Sequence, residues 1–260
     1  MILKKRESYF RKGEQEMVEL EVGDGLAVVT INRPQARNAI APETMDQLGQ
    51  VLDEVEKAEG VRALVLTGAG DRSFVSGGDL KELARLRTEE QAAEMAWHMR
   101  GICDRLAGFP GPVIAALNGH ALGGGAEVAV AADIRIAAAD IRIGFNQVSL
   151  AIMPAWGGAE RLGELVGRGR ALMLAGSGTV LDAAEAQRLG LIDRVLPRGE
   201  FDRGWRDLAK SLANGPAVEI KRVLAGVPAG EAVAAFARLW VAEEHWEAAD
   251  RVLKRAAAVK

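Results

Sequence analysis

Two glycine-rich segments and one acid carry the residue types best suited to chemistry. The first segment is Ser73-Phe74-Val75-Ser76-Gly77-Gly78-Asp79-Leu80, the second Gly123-Gly124-Gly125-Ala126-Glu127. Glycine lets a backbone N–H approach a ligand with no side chain in the way. Glycines that open a helix also leave N–H groups without intrahelical acceptors, at the positive end of the helix dipole. Such groups suit a developing oxyanion. Glu127 follows the glycines and can act there as a general acid or base; the alternative is a residue that caps or pairs within its own helix. One glycine loop alone is an ordinary turn, whereas two in order, one followed by an acid, are more specific. Neither is a phosphate-binding P-loop, since no Gly-Lys-Ser/Thr follows, and the G-x-G-x-x-G spacing is absent. Asp79 reads as holding its loop by accepting backbone N–H bonds. Glu160 reads as a solvated helix start that could alternatively supply an acid. His98 and His245 read as helix residues and His120 as a structural hydrogen-bonding residue; their separation suggests no metal.

These loops need strands to deliver them. The run 26–31 (LAVVTI) is a short β-branched strand that stops at Asn32-Arg33-Pro34. A helix is predicted from Pro42 to Lys57, with Pro42 in its first turn and Met45, Leu48, Val51, Leu52 and Val55 at helical spacing. Segments 62–67 (RALVLT) and 114–117 (IAAL) are buried-type strands that lead into the two glycine loops. A helix can begin over 126–132, and 134–137 and 141–143 look like short strands. Alternating strands and helices argue an α/β layered domain. Beyond residue 199 the pattern is helical, with breaks at Asn214-Gly215-Pro216 and 227–230. A last helix carrying Phe236, Leu239, Trp240 and Trp246 exposes enough aromatic surface to predict packing on the main domain or on another subunit.

Composition narrows the classes. The chain has 260 residues, 49% of them hydrophobic, and a formal net charge of −3, so no global field attracts nucleic acid or an anionic membrane. A single cysteine, Cys103, excludes an intrachain disulfide and reads as a buried helix residue. Residues 1–16 read as a polar N-terminal arm without the apolar stretch of a secretory signal. No apolar run is long enough to span a bilayer, and a cytoplasmic location is expected.

The order of several short motifs resembles the crotonase (enoyl-CoA hydratase/isomerase) superfamily from about residue 20 onward. They are Asn32-Arg33-Pro34 with Arg37-Asn38-Ala39, then Phe74-Val75-Ser76-Gly77-Gly78-Asp79-Leu80, then Asn118-Gly119-His120-Ala121-Leu122 running into the triple glycine and Glu127. Met153-Pro154-Ala155-Trp156-Gly157-Gly158, Leu181-Asp182-Ala183-Ala184-Glu185-Ala186 and Gly190-Leu191-Ile192 follow. The resemblance implies a spiral of ββα units over 17–198 and a C-terminal helical trimerisation region over 199–260. It implies an acyl-CoA substrate whose thioester oxygen lies between the N–H groups of Gly78 and Gly124, and no cofactor beyond that coenzyme A. It places Arg37 near the CoA phosphates, Ala39 at a backbone contact, and Ser76, Gly77, Asp79 and Leu80 along the substrate. Trp156 would wall the acyl pocket; the Pro-x-Trp-Gly-Gly wording is similar to that of ethylmalonyl-CoA-type decarboxylases. Family hydratases use two glutamates. One position is Glu127; the other, seven residues before Pro154, is Gln147. Glutamine can hydrogen-bond a water or an acyl group but cannot exchange a proton as an acid. Enoyl-CoA hydration is the leading expectation, with isomerisation or decarboxylation of a malonyl-type thioester as alternatives. A reading of another class is a non-catalytic acyl-CoA-binding subunit. A homotrimer or dimer of trimers is expected, with neither nucleic acid nor membrane as partner.

Overall fold

A computed structural model describes residues 4–5 and 15–258. The chain opens with strands β1 (Lys4–Lys5), β2 (Val18–Gly23) and β3 (Leu26–Ile31), all antiparallel neighbours, so the polar-arm reading of residues 1–16 falls largely outside the described residues. Helix α1 (Pro42–Lys57) buries Met45, Leu48, Val51, Leu52 and Val55, the stripe its spacing predicts. Then come β4 (Ala63–Gly68), β5 (Ser73–Val75), α2 (Leu80–Leu83), α3 (Glu89–Gly108), β6 (Val113–Leu117), β7 (His120–Leu122) and α4 (Gly124–Val130). Strands β8 (Ile134–Ala138) and β9 (Arg142–Gly144) lead through a 3-10 turn at Gln147–Leu150 into α5 (Gly158–Val166) and α6 (Arg168–Ser177). The core closes with β10 (Val180–Asp182), α7 (Ala183–Arg188) and β11 (Arg194–Leu196).

Two sheets result. The larger runs β1-β2-β3-β4-β6-β8-β11 and is parallel from β3 onward; the smaller runs β10-β9-β7-β5. Consecutive strands alternate between them: β4, β6 and β8 lie in the large sheet, while β5, β7 and β9 follow each in the small one, with helices after each pair. The fold class is α/β. Strands β4 and β6 are buried at every position, which is why they read as continuous apolar runs rather than alternating ones.

Helices α8 (Arg198–Leu212), α9 (Gly215–Leu224), α10 (Ala229–Trp240) and α11 (Glu243–Ala258) complete the chain. The single last helix expected to hold Phe236, Trp240 and Trp246 together is two helices. The break falls at Val241-Ala242, and Glu243 and Glu244 restart the chain in a first turn that favours acids. Their aromatic rings pack on one another, Phe236 tilted against Trp240 and Trp240 edge-on to Trp246, and remain about half exposed.

Candidate active site

The first glycine loop leaves β5 and is held by Ile40, whose N–H donates to the Gly77 carbonyl (2.8 Å) and whose carbonyl accepts from Asp79 N–H (2.8 Å). Alternation along an extended segment turns the intervening Gly78 N–H to the other side, and it has no acceptor among the described residues. Gly77 sits at φ +99°, where a side chain would be strained. Two buried asparagines brace the approach. Asn38 Nδ2 donates to the carbonyls of Ala69 (3.0 Å) and Ser73 (2.7 Å), and Asn118 Oδ1 accepts from Gly68 N–H (2.9 Å) while its Nδ2 donates to the Gly70 carbonyl (2.8 Å).

The second loop leaves β7. Gly124 is the first helical residue of α4, and its N–H has no acceptor among the described residues. A Cβ built on Gly77 would lie 3.4 Å from Gly124 N, so the loops touch. The six-membered ring of Trp156 spans both: a Cβ on Gly124 would overlap that ring, and one on Gly78 would come 3.9 Å from it.

One turn into α4, Glu127 is buried. Its Oε2 accepts from Trp156 N–H (2.7 Å) and Gly158 N–H (3.0 Å), and its Oε1 accepts from Gln147 Nε2 (2.9 Å). The acid therefore bonds outside its own helix, to the turn that opens α5. Burial pushes its carboxyl above the usual glutamate range, against the pull of the Gly158 and Trp156 N–H groups and of Gln147. Gln147 Oε1 is buried and has no partner among the described residues. Its carboxamide carbon lies 4.0 Å from where a Gly123 Cβ would be, beside the second loop.

Glu127, Gln147, Gly78, Gly124 and Trp156 thus form one cluster. Ser76 and Arg37 line an adjoining cleft of about 420 Å³ with Arg72, His120, Asp140 and Arg198. Ala39 is buried, its N–H donating to the Ala36 carbonyl and its carbonyl accepting from Arg33 Nη1. Asp79 accepts from Lys81 N–H at the start of α2 and pairs with Arg33 (3.0 Å); Leu80 beside it is exposed. Glu160 is no replacement acid: it is exposed, points to Arg100 (2.8 Å), and that partner holds its carboxyl below the usual range. Cys103 is buried in α3, and His120 Nδ1 accepts from Arg142 N–H. Among the described residues, no group of three or more His, Cys, Asp or Glu side chains could hold a metal ion.

A sequence model described as Enoyl-CoA hydratase/isomerase matches residues 21–235. The chain belongs to that family. Short-chain-enoyl-CoA hydratase of Clostridium acetobutylicum is 39% identical over 208 residues, covering 80% of this chain and 79% of that protein. Crotonyl-CoA hydratase of Syntrophomonas wolfei is 40% identical over 186 residues, covering 72% and 71%. The crystal structure of an enoyl-CoA hydratase from Bacillus anthracis superposes with a TM-score of 0.84 at 30% identity, covering 92% of this chain and 96% of that one. As a member of the hydratase/isomerase family, the chain is an enzyme. The residues that sequence reasoning missed are the ones that fix Glu127 from behind. Gly158 is foremost: a Cβ there would overlap Glu127 Cγ, so only glycine lets its N–H reach the carboxylate. Its signal was present in the Pro-x-x-Gly-Gly wording.

Proposed function

We propose that the enzyme adds water across the double bond of short-chain 2-enoyl-CoA thioesters, giving 3-hydroxyacyl-CoA. The observation that carries this reading is the buried Glu127 carboxylate, pinned at Oε2 by two backbone donors and one turn beyond the free N–H of Gly124. Relatives named for hydration of short-chain enoyl-CoA and of crotonyl-CoA support it. In this mechanism the thioester oxygen lies between the N–H groups of Gly78 and Gly124, which take up the charge of the enolate; such a donor is worth about 10²–10³ in rate. Oε1 of Glu127 accepts a proton from the attacking water as its oxygen bonds to C3, and the same carboxyl returns that proton to C2. Gln147 donates to Oε1 through Nε2, and its unpaired Oε1 accepts the water's other hydrogen. Arg37 and Ser76 in the adjoining cleft meet the coenzyme A portion, together with the loop positions Ala39, Gly77, Asp79 and Leu80, and Trp156 walls the acyl group.

The same reading takes the alternating strand pairs as a crotonase-type spiral over 17–198 and α8–α11 as the contact region of a homotrimer or dimer of trimers in the cytoplasm. It requires no cofactor besides the substrate's coenzyme A. The test is incubation with crotonyl-CoA and longer enoyl-CoAs, following loss of the conjugated thioester; no turnover at any chain length overturns it.

The neutral Gln147 favours a second reading. A shift of the double bond from C3 to C2 needs only one carboxyl to remove and return a proton. Conversion of 3-enoyl-CoA without uptake of water marks that activity. A non-catalytic subunit would instead bind acyl-CoA equally well with Glu127→Gln and show no turnover in either form.

A further inference from the structure

One layer behind the acid, a largely buried guanidinium has no part in the chemistry above. Arg161, on α5, has a side chain 16% exposed. Its Nη1 donates to the Trp156 carbonyl (3.3 Å), and its Nη2 donates to Asp104 Oδ1 (2.5 Å) on α3. Arg100, also on α3, faces Asp104 (3.9 Å) and binds Glu160 (2.8 Å), so α3 and α5 are joined twice. The turn between is built around the guanidinium. Gly157 lies at φ +87°, and a Cβ there would overlap Arg161 Nη1.

The residue that Arg161 holds by its carbonyl is the one that holds Glu127 by its N–H (2.7 Å) and lays its indole on Gly124. We propose that Arg161, braced by Asp104, is the positioning residue that keeps the Trp156–Gly158 turn, and through it the Glu127 carboxylate and the indole wall, in working geometry. The inference rests on Glu127 being the acid–base group of the proposed reaction. An exposed ion pair would contribute little to stability and nothing to chemistry. Arg161 differs because its planar fork reaches Trp156 and Asp104 at once, which a lysine ammonium cannot reproduce.

The test is the steady-state pH profile of Arg161→Lys and Asp104→Asn with crotonyl-CoA, beside Glu127→Gln and thermal melts of each. A displacement of about 1 Å in a reacting group can cost about 10²-fold. Arg161→Lys is expected to lower kcat roughly tenfold to a hundredfold with a much smaller change in KM. Its acid limb moves upward, because the Trp156 N–H bond that it loosens is one of those lowering the Glu127 pKa. Cys103 on α3 is a titratable group that feels the Glu127 charge; burial above all pushes its thiol to about 12, so it does not contribute to that limb. Asp104→Asn is expected to move kcat and the limb the same way by less, and decides the matter alone if Arg161→Lys does not fold. Wild-type kcat and acid limb in the folded variants overturn the proposal, as does a fall in activity with the limb unmoved. Retained turnover in Glu127→Gln overturns the role of Glu127 instead.

Discussion

Glu127 combines a proposed acid–base role with an environment that resists its charge, and that conflict is measurable in stability. Replacing it with glutamine keeps the Oε2 bonds to Trp156 and Gly158, and the new amide meets Gln147, which can turn its own amide to accept. Only the buried charge is lost. Below the ordinary value of 4.5, the wild-type carboxyl is protonated in both folded and unfolded chains. As pH rises the unfolded carboxyl ionises first, and the folded one, raised by burial, follows. The unfolded chain then binds fewer protons, so wild-type stability declines until pH passes the folded pKa. The melting temperature of Glu127→Gln relative to wild type should therefore increase from about pH 4 to about pH 8, while turnover falls by about 10²–10⁴. A gap that is constant or shrinks with pH counts against a desolvated carboxyl. Gln147→Glu tests the neighbouring position. Two carboxyls 2.9 Å apart share one proton, giving a second acid beside the first. Hydration should rise about tenfold or more, and the acid limb should move up; unchanged or lower activity removes Gln147 from the water path. Glu127 is legible because it follows a run of glycines, whereas Gly158 shows only as part of a motif and its role does not, because that role comes from an approach between segments about thirty residues apart.

At the scale of elements, α4 and the turn before α5 pack with no room between Gly124 and the indole of Trp156, which is what the proposed role of the loops depends on. Gly124→Ala should abolish most turnover by driving its Cβ into that ring. Trp156→Leu should cost less on its own, and the double variant should be more active than Gly124→Ala, since the smaller side chain makes room. A double-mutant cycle measures this coupling, and strictly additive losses would mean that the ring is not what excludes the methyl group. The same elements mark what a sequence can reveal. Strands β3, β4 and β6 announce themselves as apolar runs, and α1 through its stripe. Most of the small sheet does not: β9 shows as the short run 141–143, but β5, β7 and β10 have three residues each, too few to show a period, and β5 lies within the first glycine segment while β7 runs directly into the second. Helix α3 is legible only around His98 and Cys103, and its start is not, for a different reason: it exposes most of its first half and buries only Met99, Ile102, Cys103 and Leu106 in its second.

For the whole molecule, the C-terminal helices pose the remaining physical problem. Phe236, Trp240, Val241 and Trp246 are 46–75% exposed on α10, α11 and the link between them, although the rings pack on each other. Ile220 and Leu224 on α9 extend the apolar surface. Clustered exposed aromatics of this kind belong in contacts between subunits, where large rings supply area at little cost in entropy. The helical region is therefore expected to be covered in a homotrimer or dimer of trimers, with association and stability coupled through concentration. Sedimentation or light scattering should report a mass that is a multiple of three chains. Phe236→Ser combined with Trp240→Ser should shift it toward the monomer and lower the melting temperature, with the shift relieved at higher protein concentration. The substitutions lie on α10, outside the cluster around Glu127, so their first effect should be on mass rather than on the pH profile. A wild-type protein that is monomeric at all concentrations, or a double variant that remains trimeric, would leave the aromatic surface without its proposed role. The α/β core would be untouched by that result, since β4 and β6 are buried within the single chain.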